Sequence, residues 1–369
     1  MRVLVTGGAG FVGQHVVQAL KERGEDIVVL DSLDPQVHDA ATPSLPDGVE
    51  LLVGNVGDAA LVDRALQGVD RVVHLAAVVG VGQSMYDIER YVRENTLATA
   101  TFLERMVAKT ERPRRLVVAS SMSIYGEGEY ECEKHGPVAP RQRLIDQLVA
   151  RDWESRCPEC GEVAAQVGTK ESKQLQPTSV YAVTKRDHEE LALSVGGAYG
   201  IPTVALRFFN IYGPGQALSN PYTGVAAIFA SRLLNGNSPL IFEDGKQTRD
   251  FIHVSDIVDG ILLALERDEA VGHAINLGTG RPTSVLRVAE VLSEQLSVDV
   301  EPTLTGEFRA GDIRHCFADP TLAREKLGFE AKTSFEDGMS QLAQWLEGQE
   351  AIDNVEGARQ ELVERGLTL

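Results

Sequence analysis

Tyr181 and Lys185 are the residues of this chain whose types and spacing point most directly to chemistry. Side chains four residues apart lie on the same face of a helix. There the Lys185 ammonium can lower the pKa of the Tyr181 phenol from its reference of about 10 toward neutrality. A phenol adjusted in this way suits proton transfer at neutral pH. The spacing alone is weak evidence, because any surface helix can carry it.

Glycines at positions 7, 10 and 13 follow a short apolar strand and open a helix, the context that a dinucleotide-binding fingerprint requires. Gly7 allows a tight turn, Gly10 lets the backbone approach a pyrophosphate, and Gly13 lets the helix lie close to the strand. Asp31 ends the next strand, where a carboxylate accepts hydrogen bonds from the ribose hydroxyls and repels a 2′-phosphate. NAD is therefore favoured over NADP.

A serine cluster, Ser120-Ser121-Met122-Ser123-Ile124-Tyr125-Gly126, stands between the glycines and Tyr181. Together the three segments resemble the extended short-chain dehydrogenase/reductase family, and the resemblance runs from Met1 to about Leu346. It implies that Tyr181 is the acid/base, that Lys185 holds the nicotinamide ribose, and that Ser121 hydrogen-bonds the reacting hydroxyl. The implied chemistry is hydride transfer between a sugar carbon and the nicotinamide, coupled to proton transfer.

The same resemblance implies further contacts with NAD. In the family an aspartate and an apolar residue usually follow the third strand and hold the adenine, and Asn55 and Val56 stand there in this chain. An amide can still meet the adenine edge. The other positions that match the family's cofactor site are Phe11, Val12, Leu75, Ala76, Ala77 and Asn95.

The type of reaction follows from groups that the chain lacks at the family's positions. Sugar-nucleotide 4,6-dehydratases of the family carry Asp-Glu just after the serine-equivalent position, and the related decarboxylases keep a glutamate. This chain has Met122-Ser123 there, without an ionisable group. No cysteine stands where 3,5-epimerases use one. Oxidation at one carbon followed by reduction from the other face remains, which is 4-epimerisation.

Substrate residues are also implied by the resemblance. Asn210 lies in a segment similar to the one in which the family's asparagine binds the nucleotide diphosphate. Arg249 and Arg309 match two arginines that clamp this diphosphate, a task suited to the guanidinium group. Ser123 and Asp312 complete the predicted substrate contacts.

Cys316 occupies a position that acts as a gate in the family. Bulky residues there restrict the pocket to plain hexoses, and small ones admit N-acetylhexosamines. A cysteine leaves room for an acetamido group at C2, although it can equally be a small buried residue without influence on specificity. His253, by contrast, is expected to be structural rather than catalytic.

Two cysteine-containing segments lie in a long connection between the serine cluster and Tyr181. Cys132 and His135 form one pair, and Cys157 and Cys160 form another that is followed by glycine. The spacing resembles a small zinc knuckle or ribbon of Cys3His type, which would be structural and apart from the hydride chemistry. A loop with free thiols is the alternative, because the spacing between the pairs is unusual.

Composition restricts the class of protein. The chain has 369 residues, a net charge of −19 and no basic footprint, which argues against nucleic acid or an anionic membrane as a partner. It begins with a strand, lacks an apolar run of the about 20 residues that a membrane helix needs, and has too few cysteines for a disulfide framework. These features predict a soluble cytoplasmic protein.

Short apolar strands alternate with helices through the first half of the chain, which predicts an α/β fold with a Rossmann-type, doubly wound parallel sheet. We assign residues 1–210 to an NAD-binding domain with an insertion at 127–178. A smaller, interleaved substrate-binding domain follows at 211–347, and a helical tail at 348–369. The expected helices include Glu89–Lys109 and Tyr181–Gly196, which in the family pair across a two-fold axis and so imply a homodimer.

The sequence thus predicts an NAD-dependent nucleotide-sugar 4-epimerase similar to UDP-galactose 4-epimerase, acting on a nucleotide-diphosphate sugar. An enzyme acting on dTDP-L-rhamnose or another dTDP-6-deoxyhexose is the nearest alternative. A one-way ketose reductase would use the same triad, but Asp31 and the arginine pair disfavour it. A non-catalytic NAD-binding scaffold or sensor is the alternative of another class, and the intact set of Ser121, Tyr181 and Lys185 argues against it.

Overall fold

The structure is a computed structural model that describes residues 1–38, 45–222, 224–309 and 311–368. Its strands are, in chain order, β1 Arg2–Thr6, β2 Asp26–Asp31, β3 Glu50–Val53, β4 Arg71–His74, β5 Arg115–Ser121, β6 Glu129–Cys132, β7 Gly136–Val138, β8 Ala165–Val167, β9 Thr203–Phe208, β10 Asn210–Tyr212, β11 Leu240–Ile241, β12 Thr248–His253, β13 Ala274–Leu277, β14 Pro282–Ser284, β15 Thr303–Leu304 and β16 His315–Cys316.

The α-helices are α1 Phe11–Glu22, α2 Pro35–His38, α3 Ala59–Ala65, α4 Val81–Ser84, α5 Ile88–Tyr91, α6 Ala98–Val107, α7 Ile145–Val149, α8 Val180–Tyr199, α9 Val225–Leu234, α10 Val254–Glu266, α11 Val285–Leu296, α12 Thr321–Leu327, α13 Phe335–Leu346 and α14 Val355–Glu364. A π-helical stretch, Val92–Leu97, joins α5 to α6. Short 3-10 turns lie at Met122–Tyr125 and Asp268–Ala270. No helix in the described ranges combines the length and apolar character needed to cross a membrane.

Seven parallel strands form the central sheet, in the order β3-β2-β1-β4-β5-β9-β13. Successive side chains of a strand point to opposite faces of a sheet. Accordingly Val3 and Val5 pack into one buried cluster with α1 and α10, whereas Leu4 packs into another with α3 and α6. The predicted Rossmann-type fold is confirmed, with helices on both faces.

The second half of the chain contributes to both parts of the molecule. Strand β13 joins the edge of the central sheet beside β9, while β10, β12, β14 and β16 form a smaller sheet. Helices α9, α11 and α13 share a separate apolar cluster that includes Phe229 and Met339. The second half of the chain therefore adds strands to both sheets, and the central sheet is not completed before the smaller sheet begins.

The segment between β5 and α8 has a sheet of its own. Strands β7, β6 and β8 pair in antiparallel fashion in that order. Its apolar cluster is small and consists of Leu148 and Trp153 packed against Phe308, which lies outside the segment. This segment depends on contacts other than apolar packing.

The structure differs from the sequence-based boundaries in one informative place. The sequence predicts a continuous helix over Glu89–Lys109, but its middle widens into the π-helical stretch at Val92–Leu97. Asn95 lies in this stretch and turns inward to donate hydrogen bonds to the Val78 carbonyl and the Thr184 hydroxyl, each at 3.0 Å. Wide turns of this kind occur often at functional sites.

Candidate active site

Two glycines of the turn after β1 occupy positions without space for a side chain. Gly7 has a φ of +69°, a conformation that favours glycine, and a Cβ there would lie 2.8 Å from the Ala76 nitrogen. A Cβ on Gly13 would come within 2.2 Å of the Gly7 carbonyl oxygen. Gly10, by contrast, would meet only that same oxygen at 3.4 Å. Its outer side is open to a ligand's approach.

The start of α1 has the chemistry of an anion site. Gly10 caps the helix without a side-chain hydrogen bond, so the first N–H groups, including those of Phe11 and Val12, have no cap from a side chain. Asp31 is buried at the end of β2 and accepts hydrogen bonds from the Ala9 and Leu33 amides at 3.0 and 2.9 Å. An uncapped helix N-terminus beside a carboxylate fits the pyrophosphate and ribose of a dinucleotide.

Asn55 and Val56 lie after β3, where the sequence places the adenine contacts. Val56 is buried. The Asn55 amide donates to Glu94, and its oxygen accepts from the Gly57 amide at 2.6 Å. The amide therefore has protein partners of its own, and a contact with adenine would use its remaining capacity.

The end of β4 lies against the glycine turn. The Leu75 amide donates to the Thr6 carbonyl at 3.0 Å, and Ala76 approaches Gly7 closely. Ala77 follows, half-buried, and the next residue, Val78, donates its amide to the Asn95 oxygen at 2.7 Å. Leu75, Ala76 and Ala77 thus lie beside the glycine turn. Asn95 connects the residue that follows them, Val78, to Thr184 of α8.

Ser121, Tyr181 and Lys185 are brought together by two elements that pack on each other. Ser121 is the last residue of β5, and its hydroxyl caps the following 3-10 turn by accepting the Ser123 amide at 3.2 Å. Tyr181 lies in the first turn of α8, with its phenol close enough to Ser121 for the serine to influence its pKa. Lys185 lies one turn later and donates to the Ala119 carbonyl of β5 at 3.0 Å. The three side chains are buried.

The expected effect of Lys185 on Tyr181 is not found in this structure. Burial raises the pKa of Tyr181 to about 12, and the nearby Ser121 hydroxyl opposes this rise. Burial also lowers the pKa of Lys185 to about 7. The expected lowering of the phenol pKa is therefore not found, because burial is the largest influence on both groups.

The predicted arginine pair converges on Asp312. A carboxylate oxygen of Asp312 lies 2.8 Å from the Arg309 guanidinium and another lies 3.5 Å from that of Arg249. Burial raises the pKa of Asp312, but the two arginines outweigh it and hold the pKa below its usual value. Arg249 also donates to the carbonyls of Thr248, Ile313 and Arg314. It therefore shapes the segment after Asp312 as well as presenting charge.

A cavity of about 310 Å³ lies next to this pair and in front of α8. The residues that line it come from the insertion and from the segment at Asp312, and they are Glu127, Pro140, Arg141, Gln142, Gln176, Pro177, Thr178, Asp312 and Ile313. Asn210 begins β10, and its buried side-chain oxygen has no hydrogen-bond partner among the described residues. A buried polar atom without a partner is suited to a ligand.

Cys316 and His253 have clear places in the fold. Cys316 is fully buried in β16, within 3.7 Å of the Thr169 hydroxyl, and does not line the cavity. Its role as a gate stays a prediction, since a change there would reach the pocket only through neighbouring residues. His253 accepts the Ser255 amide at the start of α10, which agrees with the structural role expected of it.

The C-terminal tail approaches the site, which the sequence did not indicate. Leu362 and Leu367 line a small crevice together with Gly82, Ser179 and Arg309. Helix α14 is further held by a carboxylate of Glu361, which accepts from the hydroxyls of Tyr86 and Tyr222. Helical periodicity predicted the helix but gave no signal of where it docks.

The predicted metal ligands are also brought together, although they are separated by up to 28 residues in sequence. The ligand atoms of Cys132, His135, Cys157 and Cys160 all lie within 4.8 Å of one another. The four cysteines of the chain are free thiols in this structure.

Comparisons with known proteins agree with the geometry. The family model described as the NAD dependent epimerase/dehydratase family matches residues 3–143 and 155–278. The dTDP-L-rhamnose 4-epimerase of Burkholderia thailandensis is 34% identical over 350 residues, covering 94% of each chain. UDP-glucuronate 4-epimerase 4 of Arabidopsis thaliana is 31% identical over 93% of this chain and 74% of its own.

Among solved structures, the UDP-glucose 4-epimerase of Thermus thermophilus in complex with NAD matches with a TM-score of 0.74. It is 28% identical, and the match covers 94% of this chain and 99% of that one.

Proposed function

Because the chain belongs to the NAD dependent epimerase/dehydratase family, the extended short-chain dehydrogenase/reductase enzymes, we propose that it is an NAD-dependent nucleotide-sugar 4-epimerase. The observation that carries the proposal is the convergence of Ser121, Tyr181 and Lys185 beside the glycine turn. No ionisable group stands at Met122 or Ser123 to divert the chemistry toward elimination.

In this proposal each residue of the set has a separate task. NAD, when bound, would supply the acceptor and donor for the hydride exchanged with the sugar carbon. Tyr181 removes the proton from the sugar hydroxyl and later restores it, which requires the phenol to lose its own proton. Ser121 holds the hydroxyl against the phenol, and Lys185 holds the nicotinamide ribose and supplies positive charge near the phenolate.

We assign the nucleotide diphosphate to the arginine pair, Arg249 and Arg309. Arg249 and Arg309 are close enough to act together, and Asn210 offers a buried polar atom. Two guanidinium groups that already share a carboxylate can bind a diphosphate in the same manner. Asp312 then orients the arginines in the absence of competing anions.

For the sugar, we favour a dTDP-6-deoxyhexose such as dTDP-L-rhamnose. The support is the 34% identity to an enzyme of that name, which extends over 94% of both chains. The UDP-glucose/UDP-galactose pair that the sequence analysis placed first is the second candidate, supported by the likeness to a UDP-glucose 4-epimerase structure.

A screen of purified protein tests the proposal. We expect interconversion of C4 epimers for one of the dTDP-, UDP- and GDP-sugars without added NAD, since epimerisation returns the hydride and NAD should remain bound. Net oxidation of stoichiometric NADH would indicate a reductase instead. A protein that binds NAD but leaves every nucleotide sugar unchanged would favour the scaffold or sensor alternative.

The proposal includes assembly as a homodimer through α8 and the helix formed by α5, the π-helical stretch and α6. These elements pack on each other within the chain. They also leave Val92, Leu97 and Val183 exposed, with Leu97 at 59%. Apolar side chains concentrated on two adjacent helices suit burial against a second copy.

A further inference from the structure

The insertion at 127–178 brings two hairpin tips together outside the proposed active site. The first tip joins β6 to β7, where Cys132 pairs with Gly136. The second spans Cys157 to Glu162, closed by a bridge between Arg156 and Val163. Each tip carries two of the four predicted metal ligands, and an ion pair between Lys134 and Glu162 at 3.6 Å links the tips.

The distances between ligand atoms match the edges of a tetrahedral zinc site. Zinc–sulfur bonds of about 2.3 Å and zinc–nitrogen bonds of about 2.0–2.1 Å give edges of about 3.8 Å between sulfurs and about 3.6 Å between sulfur and nitrogen. The structure has 3.7 Å between the Cys132 and Cys160 sulfurs. The His135 Nδ1 atom lies 3.6 Å from the Cys132 sulfur and 3.4 Å from that of Cys157.

Bonding between the cysteines does not account for this arrangement. A disulfide requires sulfurs about 2.0 Å apart, whereas the cysteines are free and the Cys132 and Cys160 sulfurs are 3.7 Å apart. The four ligand atoms instead lie within 4.8 Å of one another, as binding to one shared ion requires.

We propose that Cys132, His135, Cys157 and Cys160 bind one structural zinc ion and that this site folds the insertion. Four protein ligands close the coordination sphere, so no position remains for substrate or water. The insertion has a small apolar cluster, in which Leu148 and Trp153 pack against Phe308, and few other buried apolar side chains, among them Tyr130 and Ala164. A small segment of this kind commonly needs a metal for its fold.

The folded insertion also supports the cavity that is lined in part by Asp312, which is the candidate pocket for the sugar. Arg143 of the insertion is buried and donates to both carboxylate oxygens of Glu243, at 2.7 and 2.9 Å, and to the Asp312 carbonyl at 3.1 Å. Breaking a buried pair of this kind by removing one partner is strongly destabilising. Arg143 thereby ties the insertion to the residue on which Arg249 and Arg309 converge.

A second buried arginine, Arg314, also connects the insertion to Glu243. Arg314 donates to Glu154 of the insertion at 2.6 Å and to Glu243 at 2.9 Å. Immediately before Arg143, the insertion contributes Pro140, Arg141 and Gln142 to the cavity wall. We therefore expect metal loss to weaken binding of the nucleotide sugar and to spare the glycine turn. This consequence rests on the proposed function, whereas the metal site does not.

Metal analysis of the full chain, purified without a histidine tag or chelator, tests the site directly. We expect one zinc ion per chain, and loss of zinc in Cys157→Ser. Cys316→Ser is the matched control, because Cys316 is the only other cysteine and lies in β16; this variant should keep its zinc. Wild-type protein without bound metal, or with a disulfide among the three knuckle cysteines, would overturn the proposal.

Thiol labelling of the wild type avoids reliance on a variant that fails to fold. Alkylation followed by peptide mass spectrometry should find Cys132, Cys157 and Cys160 protected, and reactive after treatment with a strong zinc chelator. Equal labelling with and without the chelator would also contradict the site. The role in the pocket is measured separately, as a higher KM of the chelated enzyme with bound NAD unchanged. An unchanged KM would leave the zinc site standing and refute its link to the pocket.

Discussion

At the scale of single residues, the site combines a buried acid–base pair with a glycine turn suited to the cofactor. Tyr181 and Lys185 are kept from water by α8 packing on β5, and both are driven toward their neutral forms. Under these conditions the neutral phenol is the resting state, and turnover needs a positive charge nearby to stabilise the phenolate.

Replacing Tyr181 by phenylalanine tests the proton carrier. Tyr181→Phe keeps the buried ring and removes the hydroxyl, and general acid–base groups contribute about 10²–10⁴-fold to rate. We expect turnover to fall by at least that range while nucleotide-sugar affinity changes little. Steady-state kinetics and a binding isotherm give the two values, and a turnover close to wild type would remove Tyr181 from the mechanism.

Lys185 predicts a distinctive dependence of stability on pH. Its pKa is about 7 in the folded protein and about 10.4 in an unfolded chain. Between these values the unfolded state binds more protons, so the free energy of unfolding should rise as pH increases from about 7 to about 10.

Lys185→Met should remove this contribution. The variant should gain most in stability at pH 7 and below, and its advantage over wild type should shrink as pH rises toward 10, although turnover is lost. Denaturant unfolding at several pH values measures the difference. A difference that is independent of pH would mean that the ammonium is not desolvated in the folded state.

Residue types and spacing predicted which side chains would meet, but not how their environment acts on them. The glycines, Tyr181 and Lys185 could be selected because their positions in a strand–turn–helix are set by local geometry. The pKa of Tyr181 could not, since it depends on burial by elements distant in sequence. The docking of Leu362 near Gly82 and the pairing of Arg143 with Glu243 likewise depend on tertiary packing.

At the scale of elements, the strands of the central sheet were predictable and the connections were not. An apolar run such as Arg2–Thr6 has to be buried on both faces of a parallel sheet, which gives it a clear pattern. The π-helical stretch has no such pattern, because its wide turn is fixed by the inward hydrogen bonds of Asn95. The insertion was recognised only by its length and its Cys and His residues.

The tail offers a test at this scale. Leu362 is buried against Gly82, whereas its neighbour Val363 is 47% exposed. Burying a leucine side chain contributes about 1.5–3 kcal/mol, so Leu362→Asp should release α14 from the site. We expect a higher KM with little change in the melting temperature. Val363→Asp is the matched control and should behave as wild type; equal effects of the two substitutions would show that the docked face is not what matters.

At the scale of the whole molecule, the remaining question is what covers the apolar side chains on the proposed dimer helices. Leu97 is 59% exposed and Val183 is 45% exposed, although both belong to helices whose other faces are buried. A two-fold axis through these helices would bury both side chains in each copy, because such an interface uses the same patch twice. We therefore expect light scattering to give the mass of a dimer at micromolar concentration.

Placing a charge at each of these positions should separate the subunits. Glutamates that face each other across a two-fold axis bury like charges without partners, which opposes association. Leu97→Glu combined with Val183→Glu should give a monomer that still binds NAD, since neither side chain lies in the glycine turn. Val149→Glu, at a position 66% exposed in the insertion, provides the control and should remain a dimer. If wild type is monomeric, or if the double variant keeps the mass of a dimer, these helices do not form the interface.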